Sequence, residues 1–133
     1  MAGQLDELIK SGVFITQANA IVNGHVTGDG GAVTQTTNRS TGVTLNTICG
    51  QITTDTTSLA AGAEATFVVT NSKVAATDVV SVCVASGAAA TPLAYVSAVA
   101  AGSFSITITN LHAATGETGA LVLNFIVHKA VSA

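Results

Sequence analysis

The chain of 133 residues is predicted to fold as an all-β protein, an antiparallel β-sandwich or jelly roll with a short N-terminal arm. Three observations predict it. From Val33 onward, segment after segment alternates apolar and polar residues with a period of two, the mark of a strand with one buried face. Turn residues punctuate these segments at Gly62, Asn71-Ser72, Ser86-Gly87, Ala101-Gly102 and Gly116 to Gly119. The segments themselves are rich in Val, Ile and Thr, whose branched side chains suit a pleated surface.

The arm comes first, over residues 1–32, and the sandwich follows over residues 33–133. Leu5, Leu8 and Ile9 fall on one face of a short helix, with Asp6, Glu7 and Lys10 elsewhere and Gly12 beyond its end. Val13-Phe14-Ile15 and Ile21-Val22 suit short extended pieces, and Asn23-Gly24 a turn. Gly28-Asp29-Gly30-Gly31 suits a hinge. It lacks the Gly-Lys-Ser/Thr ending that would hold a phosphate. Two arrangements stay open for this stretch: an arm swung away from the domain, or an edge strand added to its own sandwich.

In the sandwich, Val43-Thr44-Leu45-Asn46 alternates cleanly. Ala65, Phe67 and Val69 oppose Thr66, Val68 and Thr70, and Val80, Val82 and Val84 oppose Ser81 and Cys83. Phe104, Ile106 and Ile108 should point inward, with Ser105, Thr107 and Thr109 outward. Leu121, Leu123, Phe125 and Val127 form one face of the last strand. Val122 and Ile126 make its other face partly apolar too, so this strand is expected to be covered on both sides. No charged residue occurs between Asp78 and Glu117, a length that could cross a bilayer. Ser86-Gly87, Thr91-Pro92 and Ala101-Gly102 interrupt it, so it divides into three strands.

Only 8% of residues are Asp, Glu, Lys or Arg, against about 25% in an ordinary domain. Thr, Ser and Asn take the polar positions instead. Such a surface costs less to remove from water than an ionic one, which points to self-association. A weakly solvated monomer is the plainer alternative. The net charge is −3 and the few cations are scattered, so no phosphate-binding footprint appears and nucleic acid is not an expected partner. No membrane partner is expected either. A basic segment followed by an apolar one is missing from the N-terminus, which favours assembly in a cytoplasm.

Nothing in the sequence signals catalysis, a cofactor or a metal. Cys49 and Cys83 lie in no metal-binding spacing and suit buried, hydrophobe-like thiols, although a disulfide between them stays open. His25, His112 and His128 lie on separate segments, and Asp55, Glu64, Asp78 and Glu117 are isolated carboxylates. The Thr-rich runs 34–37 and 53–57 suit strands and turns with solvated hydroxyls.

Several segments, in order, carry a resemblance. They are Val33-Thr34-Gln35, Ser40-Thr41-Gly42-Val43-Thr44-Leu45-Asn46, Cys49-Gly50-Gln51-Ile52-Thr53 and Leu59-Ala60-Ala61-Gly62-Ala63. Val69-Thr70-Asn71-Ser72, Ala75-Ala76-Thr77-Asp78-Val79-Val80, Ala100-Ala101-Gly102-Ser103-Phe104 and Phe125-Ile126-Val127-His128-Lys129 follow. From Val33 to Lys129 the chain resembles small phage virion proteins of the capsid decoration (cement) or head-fibre type. The resemblance implies a non-enzymatic virion component, trimeric, seated on the outer head surface and partnered by the major capsid protein. In that role the arm would reach neighbouring capsid subunits through Leu5, Leu8, Ile9, Val13, Phe14 and Ile15. A tail-fibre or head-fibre module that binds a receptor or glycan is the alternative. Glycan sites favour aromatic faces, and Tyr95 is the only Tyr in a chain without Trp.

Overall fold

A computed structural model describes residues 25–132. Among them there is no helix, and eight strands form two four-stranded sheets packed into a sandwich. The strands are β1 (Ala32–Thr34), β2 (Val43–Thr44), β3 (Cys49–Thr53), β4 (Glu64–Thr70), β5 (Val79–Ser86), β6 (Pro92–Ala100), β7 (Ser103–Asn110) and β8 (Val122–His128). The first sheet has the order β1-β3-β8-β5 and the second β2-β4-β7-β6. The expected three strands between Asp78 and Glu117 are β5, β6 and β7. The arm's expected helix and its extended pieces, with Leu5, Leu8, Ile9, Val13, Phe14 and Ile15, lie outside the described residues.

The sheets are mixed, where a purely antiparallel sandwich was expected. β1 pairs with β3 and β2 with β4 in parallel, while the other four pairings are antiparallel. The cause is the path of the chain. From β1 to β6 each strand lies in the other sheet from the one before it, so two crossings return the chain in its original direction. Among the described residues only β6 and β7 form a hairpin of consecutive strands, closed at Ala101-Gly102 with Gly102 at φ 81°. Period-two patterning reports which face a residue takes and says nothing of strand direction.

The inner faces meet as the alternation predicts. Phe67 and Val69 of β4, Phe104, Ile106 and Ile108 of β7, Ile52 of β3 and Leu123, Phe125 and Val127 of β8 are buried. Phe104 and Phe125 join the two sheets, with ring centroids 5.2 Å apart and planes tilted by 53°, a favoured aromatic geometry. Two glycines hold the backbone close. Any side chain at Gly50 would meet Leu45, the Gly31 carbonyl and the Phe125 ring. Gly87, at φ 85°, lies so near Ala120 that a Cβ there would overlap the Ala120 carbonyl oxygen.

Several polar residues are buried, among them Gln35 and Thr54 of the Thr-rich runs expected to be solvated. Arg39 is 3% exposed, Gln35 3%, Thr54 2% and Glu117 0%. Each finds its partners inside. Arg39 Nε donates to Thr57 O (2.6 Å), Nη1 to Thr54 Oγ1 (3.0 Å), and Nη2 to Glu117 O (3.1 Å) and Gly119 O (2.8 Å). Gln35 Nε2 donates to Arg39 O and Thr41 O, and its Oε1 accepts from Asp55 N. The Thr-rich runs are therefore only partly solvated: Gln35 and Thr54 are the inward members that tie loops to the sandwich.

Candidate interaction surface

The groups with potential chemistry are mostly engaged in holding loops. The Glu117 carboxylate accepts hydrogen bonds from the backbone N–H groups of Ala89, Ala90 and Gly119. Burial pushes its pKa up, but those three donors and the Arg39 charge outweigh burial and leave it below the ordinary value. Desolvation lowers the Arg39 pKa, with Glu117 and then Asp55 acting against it. Asp78 accepts from Ala75 N, Lys129 Nζ and Ala130 N, and these bonds, the Ala75 one foremost, hold its carboxyl low. Asp55 is held low chiefly by the Thr57 hydroxyl and then by its backbone N–H. Asp78 and Glu117, isolated in sequence, are thus carboxylates built into turns.

The histidines stay apart. His25 Nδ1 lies 3.6 Å from Asp29 Oδ2, His112 Nδ1 accepts from Ala114 N and Thr115 N, and His128 is exposed on β8. Among the described residues, no group of three or more His, Cys, Asp or Glu comes together. Cys49 and Cys83 are free, with Cys49 half-buried and Cys83 exposed, against the expectation of buried thiols. The register explains both facts. Cys49 pairs with Ile126 and Cys83 with Asn124 on opposite sides of β8, so the two thiols share the outer face with a whole strand between them. Two strand spacings of about 4.8 Å already exceed disulfide reach.

The outer face of the β2-β4-β7-β6 sheet has a different character. Its cross-strand rows are Glu64–Thr109–Leu93, Thr66–Thr107–Tyr95 and Val68–Ser105–Ala98. Glu64 is its single charge, and it sits at one end, where it accepts from Thr109 Oγ1 at 2.9 Å. In the middle, Thr66 Oγ1 and Thr107 Oγ1 are 2.8 Å apart, and Thr107 Oγ1 donates to Ser97 Oγ at 2.9 Å. Thr107 faces outward as expected, yet its neighbours leave it only 3% exposed. Around this hydroxyl row stand Val68, Leu93 and Tyr95, exposed by 47%, 49% and 40%. Leu111, 59% exposed, follows β7 at the same end as Leu93 and is tied by its N–H to Thr91 O.

These side chains can bind a surface. Polar atoms that already hydrogen-bond one another lose little when water leaves, so the usual cost of burying hydroxyls is reduced. Covering a half-exposed Val, Leu or Tyr contributes on the order of 1 kcal/mol each. Sequence reasoning did not single out this patch. Its signal is Val68, an apolar residue in the outward set of an otherwise Thr-lined strand, together with Leu93 and Tyr95 spaced by two on β6.

The fold and the surface define a class: an all-β sandwich whose β2-β4-β7-β6 sheet has a nearly uncharged outer face. No protein-family model, curated protein or solved structure matches the chain. No helix among the described residues is long and apolar enough to cross a membrane.

Proposed function

We propose that the protein is a phage virion structural protein, a capsid decoration (cement) protein that binds the outer head surface as a homotrimer. It stabilises the junctions between capsomers against the pressure of packaged DNA. The observation that carries this reading is the sheet face just described, with its internally satisfied hydroxyls flanked by Val68, Leu93 and Tyr95. The resemblance of Val33 to Lys129 to small virion proteins supports it, and so does the scarcity of surface charge. Copies join through this face. The N-terminal residues Leu5, Leu8, Ile9, Val13, Phe14 and Ile15 supply contact with the major capsid protein. Three linked weak contacts then give slow release through avidity.

Light scattering on a sizing column should show a trimer at micromolar concentration. Tyr95→Asp combined with Val68→Asp should convert it to monomer while keeping the β-sheet circular dichroism. A wild-type monomer would refute the reading. The alternative, a fibre module binding a receptor or glycan, draws on the exposed Tyr95 ring beside the Thr66–Thr107 hydroxyls. A cryo-EM map of the particle separates the two: cement occupies the head in hundreds of copies, a tail fibre only a handful.

A further inference from the structure

Among the described residues the two sheets end in four edge strands, and three of these are guarded against further pairing. Natural edges are blunted by shortness, charge, proline or bulges. β1 has 3 residues and β2 has 2, too few to hold an added strand. β6 has 9, but Pro92 opens it and a bulge between Val96 and Ala98 interrupts its ladder. β5 lacks such protection. It runs 8 residues from Val79 to Ser86 without a charge, and its irregularity, between Val84 and Ser86, comes only at its end.

The alternation of ladder bonds shows which groups of β5 are left over. Val127 N donates to Ile48 O at 2.7 Å, so the odd-numbered residues of β8 bond towards β3 and the even-numbered ones towards β5. On β5 those even residues, Asn124, Ile126 and His128, face Cys83, Ser81 and Val79. The N–H and C=O groups of Val80, Val82 and Val84 therefore point away from the sheet. Among the described residues nothing bonds to them. Val82 and Val84 also pack against the core yet stay only half-buried at this open edge.

We infer that β5 is an interface strand whose occupant is β5 of a second copy, antiparallel about a two-fold axis at Val82. Val82 then pairs with its own counterpart, and Val80 with Val84, each pair exchanging two bonds. Every left-over group of Val80, Val82 and Val84 is used, because an isologous contact supplies the same set from both sides. About six bonds fall within the roughly 10 ± 5 of a typical interface. Neither strand brings a charge to repel the other, and the half-buried valines gain cover from valines of the second copy. On the outer face, Cys83 comes directly opposite Ser81 of the second copy. The contact goes beyond the proposed trimer: it lies on the other sheet from the Val68–Tyr95 face and joins copies of separate trimers. Being small, it fills at higher protein concentration than the trimer does.

Disulfide capture reads this register. One protein carries Cys49→Ser, Cys83→Ser and Ser81→Cys, and the other Cys49→Ser alone, so each has a single thiol. Opposed residues of a non-hydrogen-bonded pair have Cα atoms about 4.5 Å apart, within disulfide reach. Like residues lie on a diagonal of about 7–8 Å. On mild oxidation near millimolar concentration, the mixture should form the mixed dimer at least tenfold faster than either protein alone forms its own. Equal rates would overturn the inference. Val82→Pro in both proteins removes an N–H from the open side and none from the β5–β8 ladder, a place where edge strands accept proline. With β-sheet circular dichroism retained, it should slow the mixed dimer at least tenfold; an unchanged rate would overturn the inference. Should the proline disturb folding, the comparison of registers stands without it. The same comparison in the Val68→Asp, Tyr95→Asp background should give the same preference, so this contact and the trimer fail separately.

Discussion

Arg39 shows how much one residue can hold together. Its guanidinium supplies four hydrogen bonds to two loop segments, residues 54–57 and residues 117–119. Arg39→Met removes those donors and leaves the Glu117 carboxylate without its nearby cation. Its bonds go to three backbone carbonyls and a hydroxyl. Leaving buried acceptors unpaired costs about 1–3 kcal/mol, so urea denaturation should show a loss of at least that size at unchanged slope. The carboxylates set the pH response. Asp55, Asp78 and Glu117 all titrate below their ordinary values in the folded protein. Their contribution to stability is complete at neutral pH, above the unfolded-state pKa values of about 4. It is lost as pH falls through the lower folded values, because the unfolded chain then binds protons more readily. The melting temperature should stay level from pH 7 to about 5 and drop steeply below about 4. Glu117→Gln should be less stable at pH 7 and show a shallower drop.

At the scale of elements, strand faces were legible and strand directions were not. Phe104, Ile106 and Ile108 face inward as their spacing says, and Gly62, Gly87 and Gly102 take positive φ at expected turns. The parallel pairing of β1 with β3 was hidden, because it follows from the chain's alternation between sheets and leaves no mark on local pattern. Gln35, Arg39 and Thr54 were hidden for another reason. Gln35 and Thr54 sit in Thr-rich runs and Arg39 lies between those runs, where an inward polar residue and an outward one look alike until their partners are in place. Those partners are at Thr41 and Asp55 for Gln35 and at residues 117–121 for Arg39 and Thr54. The candidate surface was half legible: the alternation assigned Val68 to the outward set but not the exposure it shares with Leu93 and Tyr95. Gly87 offers a test at this scale. Gly87→Ala adds a Cβ to a positive-φ residue and drives it into the Ala120 backbone. The β5-to-β6 connection must shift, and the cost should exceed the roughly 1 kcal/mol usual for losing a glycine's freedom. Gly62→Ala, at φ 71° with no atom within 4 Å of the added Cβ, should cost less. Thermal melts of the two variants would rank them.

Across the whole molecule, charge is scarce and much of it faces inward. Of the eight charged residues among those described, Arg39, Asp78 and Glu117 are buried, which leaves Asp29, Asp55, Glu64, Lys73 and Lys129 for the surface. Ionic strength acts on contacts between proteins by shielding their charges, over about 10 Å at 0.1 M. A junction made from the Val68–Tyr95 face offers almost nothing to shield. Its dissociation constant should therefore stay nearly constant from 20 mM to 1 M sodium chloride and tighten in ammonium sulfate, which strengthens apolar contacts. Sedimentation across that series would detect a change of threefold. A particle bound together by such faces would keep its grip alike in dilute freshwater and in brine.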